Sequence, residues 1–207
     1  MKKIILSRMI IVILLLEALP VLAQEHFLHY RLMKSNDSVG ILTVIENRTP
    51  ASLSIQTETK AVVPALLFNI TIEDQKVVAI INCVLHSATV SRKYFNGMPD
   101  QSKTILAKGI YSDGRRPIPA LYGIKAVHYC CAMLYTTEPL DKSTVYSEFH
   151  RQFVPIKKIA EHTYCIRLPD GQIGTYFYEQ GICIRVVTQT TWATIEAILI
   201  NQNLANK

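Results

Sequence analysis

Glycine and tryptophan are scarce in this chain, eight and one among 207 residues, and charged side chains make up only 18%. So few, scattered glycines leave no Gly-rich loop to cradle a phosphate, and collagen-like and low-complexity classes fall away with it. Neither a Gly-x-Ser-x-Gly elbow nor a His-Glu-x-x-His helix occurs, so the sequence signatures of the α/β-hydrolases and the zinc proteases are missing. Long apolar runs are missing too. Met9 to Leu16 is stopped by Glu17 and Pro20, and Trp192 to Ile200 is broken by Thr194 and Glu196, both far short of the roughly 20 residues that span a bilayer. Basic pairs such as Arg92-Lys93, Arg115-Arg116 and Lys157-Lys158 are dispersed and lack interleaved aromatics, so no nucleic-acid partner is expected.

What is present is a chain with 49% hydrophobic residues, enough to bury the core of one domain and too apolar for disorder. Its amino terminus has the layout of a secretory signal peptide. Lys2, Lys3 and Arg8 precede the apolar run, and Val21-Leu22-Ala23 offers small residues for cleavage between Ala23 and Gln24. The expected organisation is a signal peptide over 1–23 and a single antiparallel β domain over 24–207, periplasmic or secreted, soluble after cleavage and without stable transmembrane insertion. Without Lys2, Lys3, Arg8 and Glu17 the net charge falls from +6 to +4, a mild excess.

Five cysteines, Cys83, Cys130, Cys131, Cys165 and Cys183, are an odd number, so at least one thiol stays free. If Pro169-Asp170-Gly171 and Glu179-Gln180-Gly181 are tight turns, Cys165 and Cys183 lie on strands separated by a third. Their backbones are then about 9–10 Å apart, beyond the roughly 7 Å that a disulfide allows. Small buried hydrophobes are the expected role for most of the cysteines.

The dominant rhythm is period two punctuated by turn residues, the pattern of antiparallel strands. Tyr164 to Leu168, Ile173 to Tyr178 and Ile182 to Val187 alternate around the two turns as a three-stranded meander. Upstream, Phe27 to Lys34 and Val39 to Ile45 flank Asn36-Asp37-Ser38, and Leu53 to Thr59 follows Pro50. Leu66 to Ile72 and Lys76 to Asn82 are expected to flank a turn at Glu73-Asp74-Gln75. Cys83 to Phe95 then runs to an Asn96-Gly97 turn, with Thr104 to Tyr111 as its partner. The count is about ten to twelve strands in an all-β meander, a curved sheet or barrel. Within the less regular 113–142 stretch, Ile124 to Tyr135 reads equally as strand or helix, one short helix or irregular crossover plugging the sheet.

Candidate chemistry is thin. His128 and Cys130 would share a face of a strand, the beginning of a thiol nucleophile and its base, but no third group is placed beside them. His26 and His29 lack the partners of a zinc site, and Glu138, Glu148 and Glu161 lie in conspicuous segments without a spacing that pairs them. No catalytic residue, metal or cofactor is expected. Tyrosine, by contrast, is plentiful. Tyr129, Tyr135, Tyr164, Tyr176 and Tyr178 are the candidate ligand-binding residues, because each ring can line an apolar cavity while its hydroxyl reaches a partner.

The run Leu134-Tyr135-Thr136-Thr137-Glu138-Pro139, then Tyr146-Ser147-Glu148, His162-Thr163-Tyr164, Leu168-Pro169-Asp170-Gly171 and Tyr176-Phe177-Tyr178-Glu179-Gln180-Gly181-Ile182-Cys183 resembles an uncharacterised domain-of-unknown-function family of exported β-rich proteins from Gram-negative bacteria, of Bacteroidetes type. The resemblance implies an antiparallel β domain behind a signal peptide and brings no activity, cofactor or catalytic residue. Three functions stay open. The first is a binding or carrier module that holds an apolar small molecule, a lipid or a lipid-bearing partner in a concave surface. The second is an envelope-assembly partner that pairs through an exposed edge strand. The third is an enzyme using His128 and Cys130 or an unseen acid pair, which convergence of His128, Cys130 and Glu148 would favour.

Overall fold

The structure, a computed structural model, describes residues 24–64, 68–95 and 97–205. The expected signal peptide, Ala23 of its cleavage site and Asn96 of the Asn-Gly pair lie outside the described residues. The first seven strands are β1 (Gln24–Lys34), β2 (Asp37–Arg48), β3 (Ser52–Pro64), β4 (Asn69–Ile81), β5 (Val84–Tyr94), β6 (Asp100–Ala107) and β7 (Ile110–Ser112). After an irregular crossover come β8 (Thr144–Ser147), β9 (Gln152–Ala160), β10 (Thr163–Arg167), β11 (Ile173–Glu179), β12 (Ile182–Gln189) and β13 (Thr194–Ala205). They form one antiparallel sheet in the order β7-β6-β5-β4-β3-β2-β1-β13-β12-β11-β10-β9-β8. The strand count slightly exceeds ten to twelve, and the expected curved meander holds.

The order makes the fold a meander joined at its own ends. From β1 in mid-sheet the strands walk outward to β7, cross to the opposite edge at β8 and walk back until β13 pairs with β1. The ladder does not close into a barrel. Instead, side chains bridge the two margins: the Thr104 and Tyr146 hydroxyls are 2.8 Å apart, and Ser102 donates to the Glu148 carbonyl at 2.8 Å, all buried. The crossover helps to bridge the gap. Val127 O accepts from Leu85 N at 2.8 Å, and Tyr129 O from Tyr146 N at 3.0 Å.

Alternation aims one residue in two at the concave side. On β3 that face is Leu53, Ile55, Thr57, Ala61 and Val63, and on β11 it is Gly174, Tyr176 and Tyr178, all buried. The crossover lays its own core residues against this face through a 3-10 turn, Cys131–Tyr135, with Ala132 and Leu134 fully buried. The stretch left open between strand and helix is therefore an irregular plug. A run this short is marginal as an α-helix in water, whereas the concave face only has to be filled.

Two turn assignments are corrected. No turn occurs at Glu73-Asp74-Gln75: β4 runs straight through it, because Glu73 and Asp74 stand opposite Lys93 and Arg92 of β5, with ion pairs of 3.6 and 2.7 Å. Cross-strand charge pairing makes a polar triplet a strand segment, and the chain reverses at Asn82-Cys83 instead, both at positive φ. Likewise, Thr104 to Tyr111 is not one strand. Lys108-Gly109, both left-handed, folds it into β6 and a three-residue β7. The β10–β12 meander matches expectation, and β11 separates Cys165 from Cys183; all five thiols are free.

Gly171 sits at φ +87° in the expected Pro-Asp-Gly turn. Gly171→Val forces a β-branched residue into the left-handed region, so about 1–2 kcal/mol of stability and a few degrees of melting temperature are expected to be lost. Unchanged thermal unfolding would contradict this turn.

Candidate functional site

One end of the rolled sheet encloses a cavity of about 200 Å³ above the plug. One wall is apolar, with Leu32 and Leu42 from β1 and β2, Ile166 from β10, Val186 from β12 and Ala197 from β13. Trp192, the only tryptophan, lies at 42% exposure on its lining. The part of the lining from β4, β5 and the turn after β8 is charged, and Thr57, Thr59, Gln172, Thr188 and Thr190 add polar groups elsewhere. Asp74 and Lys76 come from β4, Arg92 from β5, and Glu148 and His150 from the turn after β8.

Each polar group is there because of strand parity. Ile72, Asp74, Lys76, Val78 and Ile80 are every second residue of β4 and share its inner face, so two charged residues enter the interior with their apolar neighbours. Lys76 Nζ is 3.3 Å from Glu148 Oε2, with side-chain exposures of 12% and 1%. Glu148 Oε1 accepts the Ala132 N–H of the plug at 2.7 Å, tying the ion pair to the crossover. Burial works most strongly against a charged Lys76, but Glu148 together with Cys131, Asp74 and Tyr135 outweighs it and raises the lysine above its ordinary value. Arg92 donates Nε to Asp74 at 2.7 Å, and its guanidinium lies 4.2 Å over the Phe149 ring. His150 Nε2 is 3.3 Å from Asp170. Burial lowers the His150 pKa, partly offset by that carboxylate.

The five candidate tyrosines divide into two groups. Tyr135 and Tyr176 line the cavity and stack edge-on with ring centroids 6.2 Å apart. Tyr164 and Tyr178 hold the crossover to the sheet, their hydroxyls donating to Glu138 Oε1 at 2.9 Å and Leu134 O at 2.7 Å, while Tyr129 braces the crossover internally by donating to Thr137 O at 2.6 Å. Gly174 gives Tyr176 its place. A Cβ there would lie 2.9 Å from the Tyr176 ring, so the missing side chain lets the aromatic ring lie across the neighbouring strand position.

His128 and Cys130 do not form a nucleophile and base. His128 is exposed and bonds Cys83 O at 2.7 Å, whereas Cys130 is buried at 1% exposure and burial pushes its thiol well up. The extended backbone at Cys130 gives way to the plug just beyond it, and the shared face that a regular strand would supply is lost. Burial, with the Glu148 charge, also raises Cys131, and burial pushes Cys183 up to about 12. Exposed Cys83 is therefore expected to react with a thiol reagent in the native protein well ahead of Cys130, Cys131 and Cys183, with all five reacting in denaturant. Fast native labelling of Cys130 would revive a reactive-thiol role. Glu138 accepts from Tyr164 and contacts His162 Nδ1 at 3.0 Å, away from the cavity lining, and Glu161 is exposed. Among the described residues no group of three or more His, Cys, Asp or Glu is arranged to hold a metal, and no helix is long and apolar enough to cross a membrane.

The charged wall was missed by sequence reasoning because Glu73-Asp74-Gln75 reads as a turn. The signal was present: Ile72, Asp74, Lys76, Val78 and Ile80 keep period two through the polar triplet, and Arg92-Lys93 supplies the complement on the next strand.

These observations define a class of protein: a single rolled antiparallel sheet, bridged at its margins by side chains, plugged by its own crossover and holding a cavity with one apolar and one charged wall. The domain of unknown function DUF6134 matches residues 30–200, from within β1 to within β13, and the chain belongs to that family. No curated protein and no solved structure matches it.

Proposed function

We propose that the protein is an exported binding or carrier module of a Gram-negative bacterium, periplasmic or secreted, which holds an apolar ligand or a lipid-bearing partner without transforming it. The observation that carries this reading is the cavity, whose lining takes apolar side chains from five strands together with a smaller set of polar and charged groups, the usual composition of a small-molecule site. Tyr135 and Tyr176 are the candidate tyrosines on that site. Export rests on the amino-terminal pattern ending at Ala23. Edge-strand assembly has less support: the sheet margins are β7 and β8, three and four residues long, too short to template a partner strand.

Native mass spectrometry of the protein purified from its own cells, followed by denaturing identification of co-purifying molecules, tests the reading. A bound apolar molecule at defined stoichiometry is expected. A clean apo mass, with no uptake of added amphiphiles, would overturn it. Amino-terminal sequencing of the same material is expected to start at Gln24; an intact Met1 would remove the export part alone.

A further inference from the structure

Among the described residues, the tyrosine hydroxyls turned into the interior have hydrogen-bond partners, except for two that line the cavity. Tyr30, Tyr111, Tyr129, Tyr146, Tyr164 and Tyr178 each have a hydrogen-bond partner at 2.6–3.1 Å. Tyr135 and Tyr176 have none among the described residues, although Tyr176 is 8% exposed and both line the cavity. Neither hydroxyl is sealed off from the cavity space, so both are open donors facing whatever occupies it. Burial raises both phenols above their ordinary value, which keeps them protonated and able to donate.

The charged wall has the same bias. An ammonium carries three N–H donors and a guanidinium five. Lys76 uses one of its three on Glu148, and Arg92 uses one of its five on Asp74, its approach to Asp170 being 3.8 Å. Both Glu148 oxygens already take a donor, Lys76 Nζ at 3.3 Å and Ala132 N at 2.7 Å, and the Asp74 carboxylate takes one from Arg92. The cavity therefore offers spare donors, two of them cationic groups, beside an apolar wall, and an incoming acceptor need break no ion pair to use them.

We propose that this cavity is a site for a single-chain amphiphile with an oxyanion head, a carboxylate or a phosphate ester. The head accepts from Lys76, Arg92, Tyr135 and Tyr176, and the chain lies against Leu32, Leu42, Ile166 and Val186. The proposal rests on the carrier reading and names its ligand class. A charged oxygen accepting several N–H and O–H donors in a site screened from water is the strong form of hydrogen bond, which separates such a ligand from a neutral one with the same chain.

Calorimetric titration of the 24–207 chain with decanoate, decyl phosphate, decanol and decyltrimethylammonium tests it, with Trp192 emission reporting occupancy of the cavity. At least one anion is expected to bind about tenfold or more tighter than decanol and to shift the Trp192 emission. Whichever anion is tighter assigns the source, fatty-acid-like or phospholipid-like. Tyr135→Phe combined with Tyr176→Phe, a pair that removes only two oxygens and preserves packing, is expected to lower anion affinity about tenfold while decanol affinity stays within about twofold. Arg92→Gln is expected to act in the same direction. Decanol binding as tightly as the anions, the ammonium binding tightest, or anion affinity unmoved in both variants would overturn the oxyanion assignment and leave the apolar-carrier reading standing. Failure of all four probes to bind would overturn both.

Discussion

Glu148→Ala is expected to cost about 3–5 kcal/mol, a large part of the stability of a domain this size. The substitution leaves the Lys76 ammonium, 12% exposed, without the carboxylate it bonds in the interior. It also strips Ala132 N–H of its acceptor, and an unmade buried hydrogen bond contributes about 1–3 kcal/mol of that cost. The consequence is specific to removing one partner. Replacing both, as Lys76→Met with Glu148→Leu, removes the desolvation cost of two charges together and is expected to recover most of the loss. Urea unfolding of the two single variants and the double variant measures this. A Glu148→Ala loss below about 1 kcal/mol would show that the ion pair does not anchor the plug.

Gly40→Val is expected to be the most damaging single change in the sheet. Gly40 of β2 stands opposite Ala61 of β3, next to the irregularity between Leu32 and Met33 where β1 and β2 shift register. A Cβ at Gly40 would lie 2.6 Å from the Ala61 Cα and 2.7 Å from its Cβ, and would overlap the Lys60 carbonyl oxygen. These are backbone atoms or rigidly attached to backbone, so relief requires moving a central strand of the sheet. A loss above about 4 kcal/mol, or failure to fold, is expected. The contrast is Gly109→Ala, at φ +76° with no atom within 4 Å, where only the left-handed conformation is penalised, about 1–2 kcal/mol. Equal losses in the two variants, read by chemical denaturation, would mean that conformational freedom rather than space is what Gly40 supplies.

Much of the fold was legible in period-two stretches bounded by turn chemistry. Asp170-Gly171 and Gln180-Gly181 mark reversals that the chain makes, and the separation of Cys165 from Cys183 by a strand follows from that spacing alone. The errors share a cause. Glu73-Asp74-Gln75 has turn composition but strand partners, and Thr104 to Tyr111 has strand composition but a Lys108-Gly109 reversal. Local propensity cannot report what a neighbouring strand offers. The tyrosines show the same limit at the site: all five candidates are buried in or against the interior, yet which of them line a cavity and which clamp a plug depends on where the crossover lies.

By itself, then, the sequence determined that this chain folds as an antiparallel meander with tyrosine-rich inner faces, because side-chain alternation and turn residues act within a few positions of one another. The tertiary structure alone decided that β13 returns to β1, that the two margins are bridged by side chains, and that Lys76, Arg92 and Glu148 meet beside an apolar wall. Those contacts join residues tens of positions apart in the chain, and they form only where a strongly coiled sheet and an irregular crossover must together fill one interior.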